Sequence, residues 1–403
     1  MKKVKSIILY SLLTASSGTL YTSCSDSLDL SPIDYYGSGS YWQTEAHVVG
    51  YMDGIHKHLR DASFQHTFLW GEVRGGALIS SGTSADGMGM LYGDLKLQNF
   101  DEDHTGGIKN FGDIFGRLTN INLFIARVTE ATYMDEAKKG YYLGQAYGLR
   151  AFYFFDLYRT YGGVPLRLTA EVVEGIIDPN VLYMARATPK EVMDQIKKDL
   201  NESMKYFGDN NSFDPYGRNL KGYWSKAATE CLMGEVYLWI SKVTTDDDIA
   251  NETNLTIAKT HLQNVINNYG LKLMDDFSSV FDAKNGKGNE EIIFAVRYAE
   301  SEAENNNKLF TYAMATGSTK DNYLSNGDKF LDALNIGNTG SQQLEYKHEI
   351  YNSFDETDTR REATFIASYS KNTETNELTL RGTHVRKNIG YVNAQGNRIY
   401  CGD

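Results

Sequence analysis

The residues best suited to covalent chemistry in this 403-residue chain lie at its N-terminus. Leu20-Tyr-Thr-Ser-Cys24 resembles a lipobox, in which a small residue precedes a cysteine that accepts lipid before cleavage. Tyr21 departs from the strictest form of that pattern. Upstream stand a basic start (Lys2, Lys3, Lys5), an apolar run from Ile7 to Leu13 and a small-residue stretch, the three parts of an export signal over residues 1–23. The apolar run is shorter than the roughly 20 residues of a membrane-spanning helix. An ordinary secretory leader with a coincidental cysteine is the alternative reading. The polar Ser25-Asp-Ser-Leu-Asp29 that follows reads as a tether and favours lipidation at Cys24. Each acyl CH₂ buried in a bilayer contributes about 0.8 kcal/mol, so several chains hold a protein firmly.

Catalytic signatures are missing elsewhere. There is no Walker A run, no HExxH and no GxSxG. Gly87-Met-Gly-Met-Leu-Tyr92 fails the dinucleotide pattern at its last position, and no strand signal precedes it. His56 and His58 stand two apart, which on a helix points the rings away from each other, and they are expected at the surface. Asp246-Asp-Asp248 and Asp355-Glu-Thr-Asp358 lack the glycine of an EF-hand loop, so they read as solvated faces or helix caps, with adventitious Ca²⁺ the other reading. The cysteines show no CxxC and no zinc spacing. Cys231 falls in an apolar helical run as a buried thiol, and a single Cys231–Cys401 bridge stays open. No cofactor is implied. A pair of glycosidase carboxylates has no positive sign either, because with 52 acidic residues some pair would meet any distance. The net charge of −12, more negative still once the lysines of the leader are gone, argues against nucleic acid and against binding anionic lipid by surface charge.

The elements that would position a site are mostly helical. Only 5 prolines in the chain leave room for long helices, and 28 tyrosines suit either large packing surfaces or a binding face. Apolar spacing of three to four predicts helices from Trp42 to about Leu59, with Thr44 as cap, and from Ile108 to Thr129. The run Tyr141–Tyr161 is apolar nearly all round, so it is expected at the centre of other helices, with Gly144 and Gly148 admitting a close neighbour and Gly162-Gly163 ending it. Thr188-Pro-Lys-Glu191 is a capping box opening a helix to about Phe207. Ser225–Lys242 is expected to bury a side carrying Ala228, Cys231, Leu232, Glu235, Leu238 and Trp239, and Ile257–Tyr269 forms a further helix. All four tryptophans, Trp42, Trp70, Trp224 and Trp239, are expected in core or partner contacts. Residues 75–107 read as a long Gly-, Ser- and Asp-rich loop, Glu291–Val296 as a short strand, and the chain after about Asn305 as loop-rich, with weak helical signal near Phe330 and over Glu345–Phe354. Paired helices joined by turns suggest stacked hairpins without a clean 34-residue repeat.

Several of these segments, in order, resemble the SusD/RagB family. They are Cys24–Pro32 with Tyr41-Trp-Gln-Thr-Glu45, Phe111–Ile125 with Arg117, Asn120 and Asn122, and Gly144–Pro165. Arg186–Leu200, Lys226–Leu238, Asn289-Glu-Glu-Ile-Ile-Phe294 and Asp358-Thr-Arg-Arg361 continue the series. The resemblance implies a mainly α fold of tetratricopeptide-like helical hairpins carrying a loop-rich irregular lobe, one domain over residues 24–403. It implies a non-enzymatic lipoprotein of the bacterial outer membrane, facing the exterior and touching the membrane through its lipid alone. The implied partner is a SusC-like TonB-dependent transporter, and the implied cargo an oligosaccharide; a peptide or glycopeptide is the alternative. Family members continue past Tyr400-Cys-Gly-Asp403 with further helices, so the usual C-terminal helices are expected to be lacking here. The family's glycan edge maps onto residues 75–99 and about 305–330. Within them Tyr92, Tyr312 and Tyr323 are the expected stacking platforms, with Asp86, Asn322 and Arg74 as polar partners, each with a packing role as the competing reading.

Overall fold

The structure, a computed structural model, describes residues 41–63, 75–80, 112–170, 183–217, 221–300, 321–336, 344–387 and 389–399, with positions 71, 179, 302, 303 and 401. The first helix, α1 (Glu45–Ser63), starts where the Thr44 hydroxyl accepts the His47 N–H at 3.4 Å. Its Val48, Met52, Ile55 and Leu59 are buried at the expected spacing. A short strand, β1 (Leu78–Ser80), falls inside the stretch expected to be loop. Then come α2 (Gly112–Glu130) and α3 (Glu136–Tyr161). α3 begins earlier than its apolar run suggests, because Asp135 caps it by accepting the N–H groups of Ala137 and Lys138. It is the axis of the core: Ala146, Leu149, Tyr153, Phe154, Phe155 and Leu157 are fully buried.

α4 (Pro189–Phe207) opens on the expected capping box, with both reciprocal hydrogen bonds between Thr188 and Glu191 present. α5 (Lys226–Lys242) starts at Ser225 and pairs with α6 (Asn254–Asn268). The buried set on α5 differs from the expected side: Leu232, Met233, Val236 and Ile240 are buried, whereas Leu238 is 47% exposed. The cause is that α5 is gripped on two sides, by α3 and α4 and by α6, where Gly234 lies against Leu262. α3 packs on α2, α4 and α5, and α1 on α2, so the elements form stacked helical hairpins. Cys231 is half-buried rather than buried, its thiol pushed up by burial, and it forms no disulfide with Cys401. Trp224 is buried, Trp42 and Trp239 pack partly buried on the same core, and Trp70 lies outside the described residues.

One buried polar cluster ties the hairpins together. The Arg150 guanidinium of α3 forms a two-pronged pair with Asp199 of α4 at 2.8 and 2.7 Å and donates to Asn122 of α2 at 3.0 Å. Burial pushes the Asp199 carboxyl up, against the pull of Arg150. Asn122 passes the network on to the carbonyls of Arg167 and Thr169.

After α7 (Phe277–Val280) the Glu291–Val296 run starts in a turn and forms no strand; Ile293, Phe294 and Val296 pack partly buried on the helical core, and Ala295 N–H donates to the Lys221 carbonyl at 3.2 Å. The lobe then holds α8 (Phe330–Leu334), β2 (Leu344–Tyr346), α9 (His348–Asn352) and α10 (Thr359–Thr364). It ends in an antiparallel hairpin of β3 (Phe365–Lys371) and β4 (Leu378–Val385), and a small ribbon of β5 (Tyr391–Val392) and β6 (Arg398–Ile399). β1 pairs antiparallel with β2, so the segment after α1 is stitched into the lobe. Sequence reading left both the hairpin and β1 as loop. The first four residues of β3 are all buried, so the strand shows no alternation to read. Among the described residues no helix is long and apolar enough to cross a membrane.

Candidate functional site

The hollow of interest lies between α1 and the chain on either side of α5. Asp53, His56, Lys57 and Arg60 recur at helical spacing along one face of α1 and form its floor. Gly222 and Tyr223 form one wall, Phe294, Val296 and Arg297 another, and Glu302 the rim; the cavity measures about 290 Å³.

Its walls are held from the core outward. Trp224, next to Tyr223, sits against Gly148 of α3 and donates its indole N–H to Thr229 at 2.8 Å. Lys221 adopts a left-handed backbone (φ 64°) and donates its ammonium to the carbonyls of Asn289 and Ile292, both at 2.7 Å. Burial holds the Lys221 amine below its usual range. The ammonium thus caps the turn in which the Ile292 N–H donates to the Asn289 carbonyl at 3.3 Å.

The floor is polar and internally matched. The Tyr223 hydroxyl donates to Asp53. His56 Nε2 accepts the Trp224 backbone N–H at 3.0 Å, which leaves Nδ1 as the protonated nitrogen that donates to the Met52 carbonyl, also at 3.0 Å. The Tyr223 and His56 rings meet edge to face at 4.9 Å. His56 is therefore a half-buried, bonded part of the floor rather than the surface residue expected. At the rim, Arg60 donates to the Arg297 carbonyl at 3.2 Å and to Glu302 at 3.1 Å, while Arg297 reaches the other oxygen of Glu302 at 2.8 Å. Lys57 pairs with Asp61 at 2.7 Å.

Glu302 belongs to a tight turn closed by reciprocal backbone bonds between Ala299 and Ala303. The same turn presents Glu300 to the Tyr391 hydroxyl at 2.9 Å and to the Asn393 amide at 3.0 Å. One turn thus joins the cavity rim to the β5–β6 ribbon.

Of the residues expected to touch ligand, Tyr92, Tyr312, Asp86 and Arg74 lie outside the described residues, as does Cys24. Tyr323 is half-buried; its backbone pairs in both directions with Tyr369, and Lys371 lies 5.5 Å from its ring centre. Asn322 was expected as a surface polar partner but is 3% exposed, and its amide donates to Ser368 at 3.0 Å beneath the β3–β4 hairpin. Neither lines the cavity. Asp53, Arg60, Tyr223, Arg297 and Glu302 were missed. The spacing 53, 56, 57, 60 was legible as one helix face, but nothing local to the sequence brings Tyr223 or Arg297 to it.

The acidic clusters hold backbone and neighbours. Asp247 accepts the Lys190 N–H at 3.0 Å at the start of α4, Asp248 accepts the Tyr158 hydroxyl at 2.7 Å, and Asp358 caps α10. Among the described residues no group of three or more His, Cys, Asp or Glu side chains could hold a metal ion.

Comparison with known proteins decides the lineage. A family model described as "Starch-binding associating with outer membrane" matches residues 92–238. The fold superposes with a TM-score of 0.81 on a SusD superfamily protein of Bacteroides fragilis that is 64% identical, covering 90% of this chain and 72% of that one. The chain belongs to the SusD superfamily. NanU of Bacteroides fragilis is similar at a TM-score of 0.78 and 34% identity, over 93% of this chain and 73% of that one. SusD-like protein P38 of Formosa agariphila is 30% identical over 51% of this chain and 38% of its own length, so the chain spans well under half of that curated relative. The superfamily assignment accounts for the stacked hairpins and for the irregular lobe carried on them.

Proposed function

We propose that this SusD superfamily protein is a non-enzymatic glycan-capturing lipoprotein of the outer membrane. In this reading Cys24 carries the lipid, the signal of residues 1–23 is removed, and residues 24–403 act as one domain. The protein holds an oligosaccharide at the cell exterior and passes it to a SusC-like TonB-dependent transporter. Tyr92, Tyr312, Tyr323, Asp86 and Arg74 remain the proposed contacts on the glycan edge.

The observation that supports this most is the 64% identity to a SusD superfamily fold across nine-tenths of the chain, joined to a family description that names both starch binding and the outer membrane. In the sequence, α1 precedes the first stretch of that proposed edge and Glu302 precedes the second. A glycan array followed by titration calorimetry on the purified protein tests the capture step. Binding of an oligosaccharide without its hydrolysis is the expected result. Binding confined to peptides would sink the glycan reading, and release of cleaved sugar would make the protein an enzyme. For the anchor, Cys24→Ala is expected to move the protein from the membrane fraction to the soluble one. For the partner, a TonB-dependent transporter is expected to co-purify from detergent-solubilised outer membranes.

A further inference from the structure

We infer that the captured glycan carries an acidic group, a carboxylate or a sulfate, and that Lys329 and Lys371 bind it on a face of the lobe built around Tyr323 and Tyr369. The inference rests on the glycan-capture reading above and adds the class of sugar taken.

The backbone brings these four side chains together. Tyr323 and Tyr369 exchange both of their backbone hydrogen bonds at 2.8 Å. On its other side Tyr323 stands opposite Lys329, where the Leu324 N–H donates to Asp328 and the Phe330 N–H to Asn322. Residues directly opposite each other in antiparallel pairs point to the same face, and so does the residue two further along a strand. Tyr323, Tyr369, Lys329 and Lys371 therefore share one face. Burial agrees. Their neighbours Asn322, Phe330 and Ser368, which point the other way, are no more than 3% exposed. Lys329 is exposed, and Tyr323, Tyr369 and Lys371 are half-buried.

Charge sets the class of ligand. A tyrosine ring offers its face to the C–H side of a sugar, and an ammonium offers three donors to an anion. The Lys371 ammonium lies 5.5 Å from the centre of the Tyr323 ring. Among the described residues neither Lys371 nor Lys329 has a carboxylate within ion-pair distance. Asp328, in the same turn as Lys329, is taken up by the Asn326 amide at 2.8 Å. In a chain of net charge −12, two lysines without counter-charge flank an aromatic ring whose backbone is pinned on both sides. An acidic group on a sugar supplies that counter-charge through charge-assisted hydrogen bonds. A neutral sugar stacking on Tyr323 displaces Lys371 and returns nothing to it. That contact is worth roughly two- to fivefold in affinity at an exposed ring, so an acidic group that draws Lys371 onto itself offsets its loss.

The test uses the full chain and an array of uronate-containing, sulfated and neutral oligosaccharides. Those that bind are titrated by calorimetry against the parent, Lys329→Gln, Lys371→Gln and the double variant. Lys259→Gln, an exposed position on α6, controls for loss of a charge elsewhere, and melting temperature reports on the fold. The expected result is that an acidic oligosaccharide binds more tightly than any neutral one and is weakened by high NaCl. Each lysine variant is expected to weaken it at least about threefold and the double variant at least about tenfold, at an unchanged melting temperature and with Lys259→Gln like the parent. The uronate and sulfate arms tell which acid is read. Tightest binding of a neutral oligosaccharide, or acidic binding that the double variant leaves within about twofold, overturns the inference and leaves glycan capture standing. Failure of every carbohydrate to bind removes the capture reading, and this inference with it.

Discussion

Gly148 and Trp224 meet so closely that a Cβ on the glycine would lie 2.1 Å from the indole nitrogen. Trp224 cannot swing away, since its ring is bonded to Thr229 and its backbone N–H to His56. Gly148→Ala is therefore expected to destabilise the protein by about 1–3 kcal/mol in urea titration, the cost of overpacking a filled core. Alanine's better helix propensity opposes that cost by only ~1 kcal/mol. Gly54 is the internal control: it also sits in a helix, but nothing lies within 4 Å of its Cβ position, so Gly54→Ala should gain a few tenths to about 1 kcal/mol. The Arg150–Asp199 pair makes a second residue-scale case. Removing one partner strands a buried charge, so Arg150→Met should cost about 3–5 kcal/mol by the same titration. Arg150→Met with Asp199→Leu should cost less than the two single changes summed. The glycine spacing was readable from residues alone; that Arg150 would find Asp199 was not, because 49 positions separate them.

At the scale of elements, α4 shows local chemistry acting almost alone. Thr188 accepts the Glu191 N–H at 3.3 Å and Glu191 accepts the Thr188 N–H at 2.8 Å, the pattern written in Thr188-Pro-Lys-Glu191. Tertiary structure adds Asp247, which takes hydrogen bonds from the Thr188 hydroxyl and the Lys190 N–H and is thereby held below the usual carboxylate range. A depressed carboxyl contributes stability above its unfolded value, and that contribution is lost as pH falls through the folded one. Thr188→Ala is expected to cost about 1 kcal/mol. In Asp247→Asn the melting temperature should fall less steeply below about pH 4 than in the parent. The β3–β4 hairpin is the contrary case. Its turn chemistry is visible, with Asn372 accepting the N–H groups of Glu374 and Thr375 and Asn376 left-handed at φ 61°. The strand itself carries no alternating pattern, because its start is buried throughout.

For the whole molecule, the turn from Ala299 to Ala303 is the described link between cavity rim and ribbon, Glu302 facing Arg60 and Arg297, Glu300 facing Tyr391 and Asn393. Glu300→Ala should raise amide hydrogen exchange in residues 391–399 while leaving α3 and α4 protected, since the helical core does not depend on that contact. An equal rise across the helices would show that the ribbon is not held separately. The helical body was legible from the chain alone: periodic apolar spacing, caps and glycines act within a few residues, so α1 to α6 were found with ends off by up to five residues, as at the start of α3, and an ordered set of motifs was enough to suggest the family. The expected export signal over residues 1–23 and the lipobox-like Cys24 are likewise readings of the sequence alone. Tertiary structure alone decided the cavity, the lobe's strands and the inward turn of Asn322. Each joins residues far apart in the chain, and such contacts form only when the core has brought distant backbone together; β1 meets β2 across about 270 positions, as Leu78 does Tyr346.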